Sequence, residues 1–361
     1  MERFGLVGLP NAGKSSLFNA LSGADVLAAP YAFATKEPNL GVATVPDDRL
    51  AAIAEVEQPE RVVPATVQFV DVGGLVEGAS RGEGLGNRFL GKVREVDAIV
   101  YVLRAFGDED VPGSVDPVDH LRLLETELAL ADLETVEAQV VKRRKSARVA
   151  KGNAGLSDEA DALEAAHIPL AEGVPLYRAD LGPELLAPLR PWFLLTAKPV
   201  LAVVNLGEDQ LDRADDLIDQ VRSELGGRAR VLPVSVQLEA EAAQLTDDER
   251  GEVLEELGLG EGALPRFLRA AYDLLGRWTF FTSSEKECRA WPFPAGFAAH
   301  ECAGLVHTDM QRGFIKADVI EWHRLVELGS WAASRQQGEL RQEGRDYPVK
   351  DGDVVEFRFN V

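Results

Sequence analysis

Residues 8–15 read Gly8-Leu9-Pro10-Asn11-Ala12-Gly13-Lys14-Ser15, and the rest of the chain is organised around this stretch. It has the form G-x-x-x-x-G-K-S, in which the glycines let backbone N–H groups curl around phosphate oxygens. A helix that follows such a loop adds the positive end of its dipole. The pattern therefore predicts a phosphate-binding loop in which Lys14 reaches the β- and γ-phosphates and Ser15 ligates Mg²⁺.

The flanking residues have the patterns that this motif requires. Arg3 to Val7 is a short apolar run typical of a buried parallel strand, and Ser16 to Leu21 has the spacing of a helix. Strand, glycine loop and helix in this order favour nucleotide binding over a chance match. The predicted contacts to nucleotide in this part are Asn11, Ala12, Gly13, Lys14, Ser15 and Ser16.

Composition limits the class of protein. The 361 residues carry a net charge of −22, which argues against a protein that coats nucleic acid without selectivity. Cys288 and Cys302 match neither a zinc motif nor a disulfide framework. No apolar run has the length of a membrane span, and the first predicted strand begins at Arg3, so we expect no signal peptide. These features together predict a cytoplasmic protein, and we expect a monomer without a membrane partner.

Three further positions extend the phosphate site. Val67 to Asp71 reads as a strand that ends in an acid, and Asp71 to Gly74 fits the D-x-x-G pattern. An Asp there holds Mg²⁺ through a water, while the Gly74 N–H approaches the γ-phosphate. Thr35, in a proline-containing loop, is the predicted threonine ligand of Mg²⁺. Leu75 replaces the glutamine that orients water in many GTPases, so we expect slow intrinsic hydrolysis.

The stretch from Val76 to Asn87 is rich in glycine, and we interpret it as a second switch segment rather than a passive linker. From Leu121 the pattern becomes helical, which predicts a helical insertion of about 75 residues. One part of it is basic, with Lys142, Arg143, Arg144 and Lys145 in succession. A solvated helix face and a surface that contacts phosphates both remain possible interpretations of this patch.

The nucleobase site is predicted after the strand that ends at Asn205. GTPases carry N-K-x-D at this point, and its Asp accepts two hydrogen bonds from guanine. Here the stretch is Asn205-Leu206-Gly207-Glu208, so the lysine is missing and the acid is one methylene longer. This departure favours ATP over GTP. Asn205, Leu206, Glu208 and, after the next strand, Ser235 are the predicted base contacts. From Trp278 onward, short β-rich runs predict a separate α+β domain without catalytic groups, which favours a recognition role.

These stretches together resemble the YchF / Obg-like ATPase family over nearly the whole chain. The resemblance rests on the phosphate loop, Asp71 to Val76, Gly82 to Asn87, Thr126 to Leu133, Asp351 to Val354 and Phe359 to Val361. It implies an α/β fold: a P-loop G domain with a mostly parallel sheet, a helical coiled-coil insertion and a C-terminal TGS domain of β-grasp form. It also implies an ATP preference through Asn205 and Glu208, and association of the basic arm with ribosomes. Two positions depart from the family pattern: Ser16 replaces the threonine that commonly follows Ser15, and Asp110 stands where many bacterial relatives carry a histidine.

The expected division is a G domain over residues 1–120 and 197–277, a coiled-coil insertion over 121–196 and a TGS domain over 278–361. The expected function is a Mg²⁺-dependent ATPase that acts as a ribosome-associated switch, with Lys14, Gly74 and the position of Leu75 central to catalysis. Two alternatives remain: a GTPase of the same fold, and a non-catalytic module whose ribosome binding is gated by nucleotide.

Overall fold

The computed structural model describes residues 2–23, 39–75, 78, 85–107, 113–149, 154–256 and 260–360. Thr35, Asp110 and most of the glycine-rich segment lie outside the described residues, so the predictions for them stay predictions. The chain divides into two compact units. The described residues of the first unit are within 2–43 and 68–270, and those of the second are 44–67 and 271–360.

The described strands are β1 (Arg3–Gly8), β2 (Leu40–Thr44), β3 (Val62–Val63), β4 (Thr66–Gly74), β5 (Ala98–Arg104), β6 (Val200–Asn205), β7 (Arg230–Val234), β8 (Arg277–Ser283), β9 (Cys288–Pro294), β10 (Phe314–Glu321), β11 (Arg341–Glu343) and β12 (Asp353–Phe359). The described α-helices are α1 (Lys14–Gly23), α2 (Asp48–Glu57), α3 (Leu85–Glu95), α4 (Pro117–Val149), α5 (Ala154–Ala171), α6 (Pro183–Leu186), α7 (Ala214–Glu224), α8 (Val236–Ala242), α9 (Asp247–Glu256), α10 (Ala263–Leu274), α11 (Ala299–Val306), α12 (Thr308–Arg312), α13 (Trp322–Leu328) and α14 (Trp331–Gln336). Two 3₁₀ segments cover Ala187–Trp192 and Glu208–Arg213.

The first unit contains a sheet with the strand order β2-β4-β1-β5-β6-β7. Strands β4, β1, β5, β6 and β7 run parallel to one another, which confirms the predicted mostly parallel sheet. Every residue of β5 and β6 is buried because helices cover both faces of such a sheet. The carboxyl ends of parallel strands meet at one edge, where ligands bind in open α/β sheets.

Helix α4 is the longest described helix, with 33 residues, and it would span about 50 Å. Its first turns pack Leu121, Leu124 and Leu128 into the core formed with β5 and β6, as the apolar spacing predicts. Farther along, Val136 packs with α5 in a separate apolar cluster. A buried carboxylate fixes this helical arm at its base: Asp132 accepts hydrogen bonds from the backbone N–H groups of Leu195 and Thr196 at 2.9 and 2.7 Å.

The second unit contains a sheet with the order β11-β10-β12-β8-β9-β3. Helix α11 packs on one face, where Phe280, Phe293 and Phe357 form the aromatic centre of the core. This sheet includes a strand from outside residues 278–361, because β3 pairs with β9 at its edge.

Residues 44–67 thus belong with the C-terminal unit, although the sequence-based division places them in the G domain. The physical reason is a set of contacts distant in sequence. Arg49 of α2 donates to Asp351 at 2.8 Å and lies 5.3 Å from the centre of the Phe281 ring. The assignment of this unit to the TGS class and the boundaries of the helical insertion remain predictions.

Within the ranges that the structure describes, none of the helices is long and apolar enough to cross a lipid bilayer.

Candidate functional site

The phosphate loop connects β1 to α1, as the sequence predicts, and two of its glycines are sterically required. A Cβ at Gly8 would lie 2.5 Å from the Val102 carbonyl oxygen, and Gly13 has a φ of +93°. A Cβ at Gly13 would also lie 2.2 Å from Nδ2 of Asn205. The loop therefore passes directly against β5 and the end of β6, with its backbone N–H groups preceding the first turn of α1.

The Asn205 side chain connects the phosphate loop to the start of α8. It is 4 % exposed; its Nδ2 donates to the Ala12 carbonyl at 3.1 Å, and its Oδ1 accepts from the Val236 N–H at 3.2 Å. Both polar atoms of the side chain are thus engaged with backbone from two different elements. The geometry makes Asn205 a brace between the loop and α8; its predicted contact with the base remains a prediction.

Lys14 is held in an unusual environment for a cation. Its side chain is 6 % exposed, and Nζ donates to the Leu9 carbonyl at 2.6 Å. Burial lowers the pKa of Lys14 from its usual 10.5 to about 8, although the Asp71 carboxylate partly opposes this effect. An anionic ligand bound in the loop would raise the pKa of Lys14 again, because a nearby negative charge stabilises the protonated ammonium.

Ser15 and Asp71 lie together, as the sequence predicts. The Ser15 hydroxyl donates to Asp71 Oδ2 at 2.8 Å, while Asp71 Oδ1 accepts from the Gly73 N–H at 3.0 Å. A hydroxyl beside a carboxylate supplies the hard oxygen ligands that Mg²⁺ prefers, so the residues present fit this ion. Thr35, the third predicted ligand, lies outside the described residues.

The D-x-x-G segment lies directly against the phosphate loop. A Cβ at Gly74 would lie 3.3 Å from Pro10, and the Leu75 N–H donates to the Gly8 carbonyl at 3.1 Å. The Leu75 side chain is completely buried in the core with Leu121 and Leu124 of α4. Any contribution of position 75 to the chemistry must therefore come from its backbone.

A cavity of about 880 Å³ opens beside the phosphate loop, within the size range of small-molecule sites. It is lined by Gly13 and Ser16, and also by the predicted base residues Asn205, Leu206 and Glu208. The remaining lining residues are Phe106, Gly107, Gly207, Asp209, Val236, Gln237, Ala240, Glu241 and Gln244. The structure thus brings the phosphate loop and the predicted base segment to one cavity.

Sequence reasoning missed the aromatic residue of this cavity. Phe106 follows β5, and the guanidinium of the buried Arg104 lies 4.7 Å from the centre of its ring. Arg104 also donates to the Phe106 carbonyl at 3.0 Å, so the ring is held in place from behind. The signal was available, because a residue just beyond the carboxyl end of a central parallel strand lies at the ligand-binding edge.

Ser235 is buried at the start of α8 and is not among the residues that line the cavity. Its position two residues from Gln237, which does line the cavity, keeps it close to the predicted base segment. A direct contact with the base is a prediction for Ser235.

The four basic residues at 142–145 of α4 have different surroundings: the two arginines are paired with carboxylates, and the two lysines are exposed. Arg144 is paired with Asp161 at 2.9 Å and also with Glu164, while Arg143 is 3.5 Å from Glu159 and stacks on Trp192. Lys142 and Lys145 are exposed. Two of the four predicted cations are therefore used inside the arm, and the two lysines face solvent.

A parallel sheet with a G-x-x-x-x-G-K-S loop after its first strand, and with D-x-x-G beside it, defines a P-loop domain of the GTPase type. A family model described as 50S ribosome-binding GTPase matches residues 3–141, and the model YchF-GTPase_C, described as a protein of unknown function, matches residues 278–360.

Similarity to whole proteins extends over both units. The Ribosome-binding ATPase YchF of Pasteurella multocida is 44 % identical over 99 % of both chains, and that of Bacillus subtilis is 41 % identical over the same share. The structure of the Schizosaccharomyces pombe YchF GTPase matches with a TM-score of 0.88 at 32 % identity, covering 99 % of this chain and 97 % of that one. The chain belongs to the YchF family.

Proposed function

We propose that this protein is a Mg²⁺-dependent nucleotide hydrolase that prefers ATP and acts as a ribosome-associated switch. The observation that carries the proposal is the brace formed by Asn205, which holds the phosphate loop and α8 around a single cavity. The printed names of the bacterial relatives, which call them ribosome-binding ATPases, support the same assignment.

The residues divide the work of phosphoryl transfer, which depends mainly on positioning and charge stabilisation. Lys14 and the loop N–H groups bind the phosphates, and the Gly74 N–H approaches the γ-phosphate. Ser15 and Thr35 would hold Mg²⁺ directly and Asp71 through a water, and the ion would neutralise charge on the phosphate oxygens. Because the Leu75 side chain is buried and apolar, no side chain at position 75 orients water, and intrinsic hydrolysis should be slow.

The preference for ATP is proposed from the base segment. The lysine and the guanine-binding Asp of N-K-x-D proteins are replaced by Leu206 and Glu208, and Glu208 is exposed where it lines the cavity. At this edge guanine presents two donors, its ring N–H and its amino group, which an Asp accepts. Adenine presents an amino donor and a ring-nitrogen acceptor, so its ring nitrogen needs a donor from the protein instead. Phe106 offers a flat apolar surface for either purine.

The test is a competition between unlabelled ATP and GTP for a fluorescent ATP analogue, followed by hydrolysis assays with and without ribosomes. We expect ATP to compete at least several-fold better than GTP and ribosomes to accelerate hydrolysis. A tenfold preference for GTP would replace the ATPase proposal with a GTPase. Nucleotide binding without hydrolysis in either condition would instead indicate a nucleotide-gated binding module.

A further inference from the structure

Two described residues after Gly74, Leu75 and Gly78, each donate a backbone hydrogen bond, and the acceptor of the second is a carboxylate of α4. The Leu75 N–H donates to the Gly8 carbonyl in the phosphate loop at 3.1 Å. Three residues later, the Gly78 N–H donates to Glu127 Oε1 at 2.7 Å. Gly8 belongs to the nucleotide site, whereas Glu127 belongs to α4.

The Glu127 carboxylate is buried within the part of α4 that packs in the core. It is 5 % exposed, on the part of α4 whose Leu124 and Leu128 pack in the core. A carboxylate buried to this extent is costly unless hydrogen bonds compensate for its lost hydration. A backbone N–H bonded to a carboxylate is a charge-assisted hydrogen bond, which is stronger than a neutral one.

The side chain of Leu75 reinforces the attachment, since it is fully buried in the core cluster that contains Leu121, Leu124 and Leu128. Gly78 has a φ of +82°, a conformation that favours glycine. Of the described residues here, Leu75 therefore contacts α4 through its side chain, and Gly78 contacts it through a backbone hydrogen bond.

We propose that Glu127 is a positioning residue for nucleotide hydrolysis. By holding Gly78, four residues after Gly74 in the chain, it helps to keep the Gly74 N–H in position for the γ-phosphate. This inference rests on the proposed hydrolase function.

The experiment compares conservative variants of Glu127. Glu127→Asp shortens the side chain by one bond of about 1.5 Å and withdraws the acceptor from Gly78. Glu127→Gln keeps an acceptor oxygen at the original reach. Glu134→Asp, at an exposed position of the same helix, is the matched control.

We expect Glu127→Asp to lower the single-turnover rate of ATP hydrolysis at least tenfold, the effect of losing one hydrogen bond to a charged group. The dissociation constant for ATP should stay within about twofold, because the bond lies outside the phosphate loop. Glu127→Gln should remain within about threefold of the wild-type rate, and Glu134→Asp should match the wild type.

A wild-type rate in Glu127→Asp, an equal loss in Glu127→Gln, or a parallel loss of ATP affinity would each overturn the proposal. Amide hydrogen exchange provides a second measurement that does not depend on turnover. The Gly78 amide should be protected in the wild type and exchange at least tenfold faster in Glu127→Asp; equal exchange would also overturn the proposal. A wild-type protein that binds no nucleotide would contradict the proposed function instead, and the exchange result would still test Glu127.

Discussion

The low pKa of Lys14 predicts that nucleotide affinity falls steeply in mildly alkaline solution. Without ligand, the pKa of Lys14 is about 8 because the ammonium is buried, and the Asp71 carboxylate offsets only part of this effect. A bound triphosphate should return this pKa to its usual value or above. Binding then requires the protonated lysine, so the free protein must take up a proton whenever the pH exceeds 8.

The magnitude follows from linkage. At pH 9.5 the fraction of protonated Lys14 in the free protein is about 1 in 30, so the dissociation constant should rise about 30-fold from its value at pH 7, or about 2 kcal/mol. The terminal phosphate does not contribute, since its second pKa of about 6 leaves it ionised over this range.

The assay is a titration with a fluorescent ATP analogue at fixed Mg²⁺ and ionic strength from pH 7 to pH 9.5. The control is Lys14→Arg, whose guanidinium keeps its charge over this range and whose dissociation constant should therefore be nearly independent of pH. The quantity compared between the wild type and Lys14→Arg is the change of the dissociation constant with pH, not its absolute value. A flat wild-type profile, or the same slope in Lys14→Arg, would refute the reasoning about the buried ammonium.

Two further predictions concern the brace and the arm. Asn205→Asp keeps an acceptor for the Val236 N–H but places an oxygen 3.1 Å from the Ala12 carbonyl, so ATP affinity should fall about 10- to 100-fold in the same titration; unchanged affinity would show that the brace does not shape the site. Replacing the exposed Lys142 and Lys145 with Gln should weaken co-sedimentation with ribosomes several-fold and reduce its salt dependence. The control replaces Arg143 and Arg144 with Gln, which removes the same charge from side chains that are paired within the arm. If both double variants weaken co-sedimentation equally, or if neither weakens it, the lysines have no direct role.

The sequence alone was sufficient for the class of fold, and it predicted a phosphate site in the loop between β1 and α1. Local spacing carries this information: the loop from Gly8 to Ser15 requires its glycines and its lysine at fixed positions, and apolar runs around it mark buried parallel strands. The apolar face of α4 was predictable for the same reason, because its period reflects the helix itself.

Contacts between residues far apart in sequence could not be predicted in this way. The assignment of residues 44–67 to the second unit depends on pairing with β9 and on the contact of Arg49 with Asp351, and no local pattern records either partner. The basic stretch of α4 seemed uniform until α5 supplied carboxylates to Arg143 and Arg144.

The chemistry of the site shows the same division. Residue types and spacing predicted that Lys14, Ser15 and Asp71 act on phosphate and metal, and the structure brings Ser15 and Asp71 into hydrogen-bond contact. Only the tertiary structure decided the pKa of Lys14, the burial of Leu75 and the attachment of Gly78 to Glu127, because desolvation and packing depend on which distant residues surround a group.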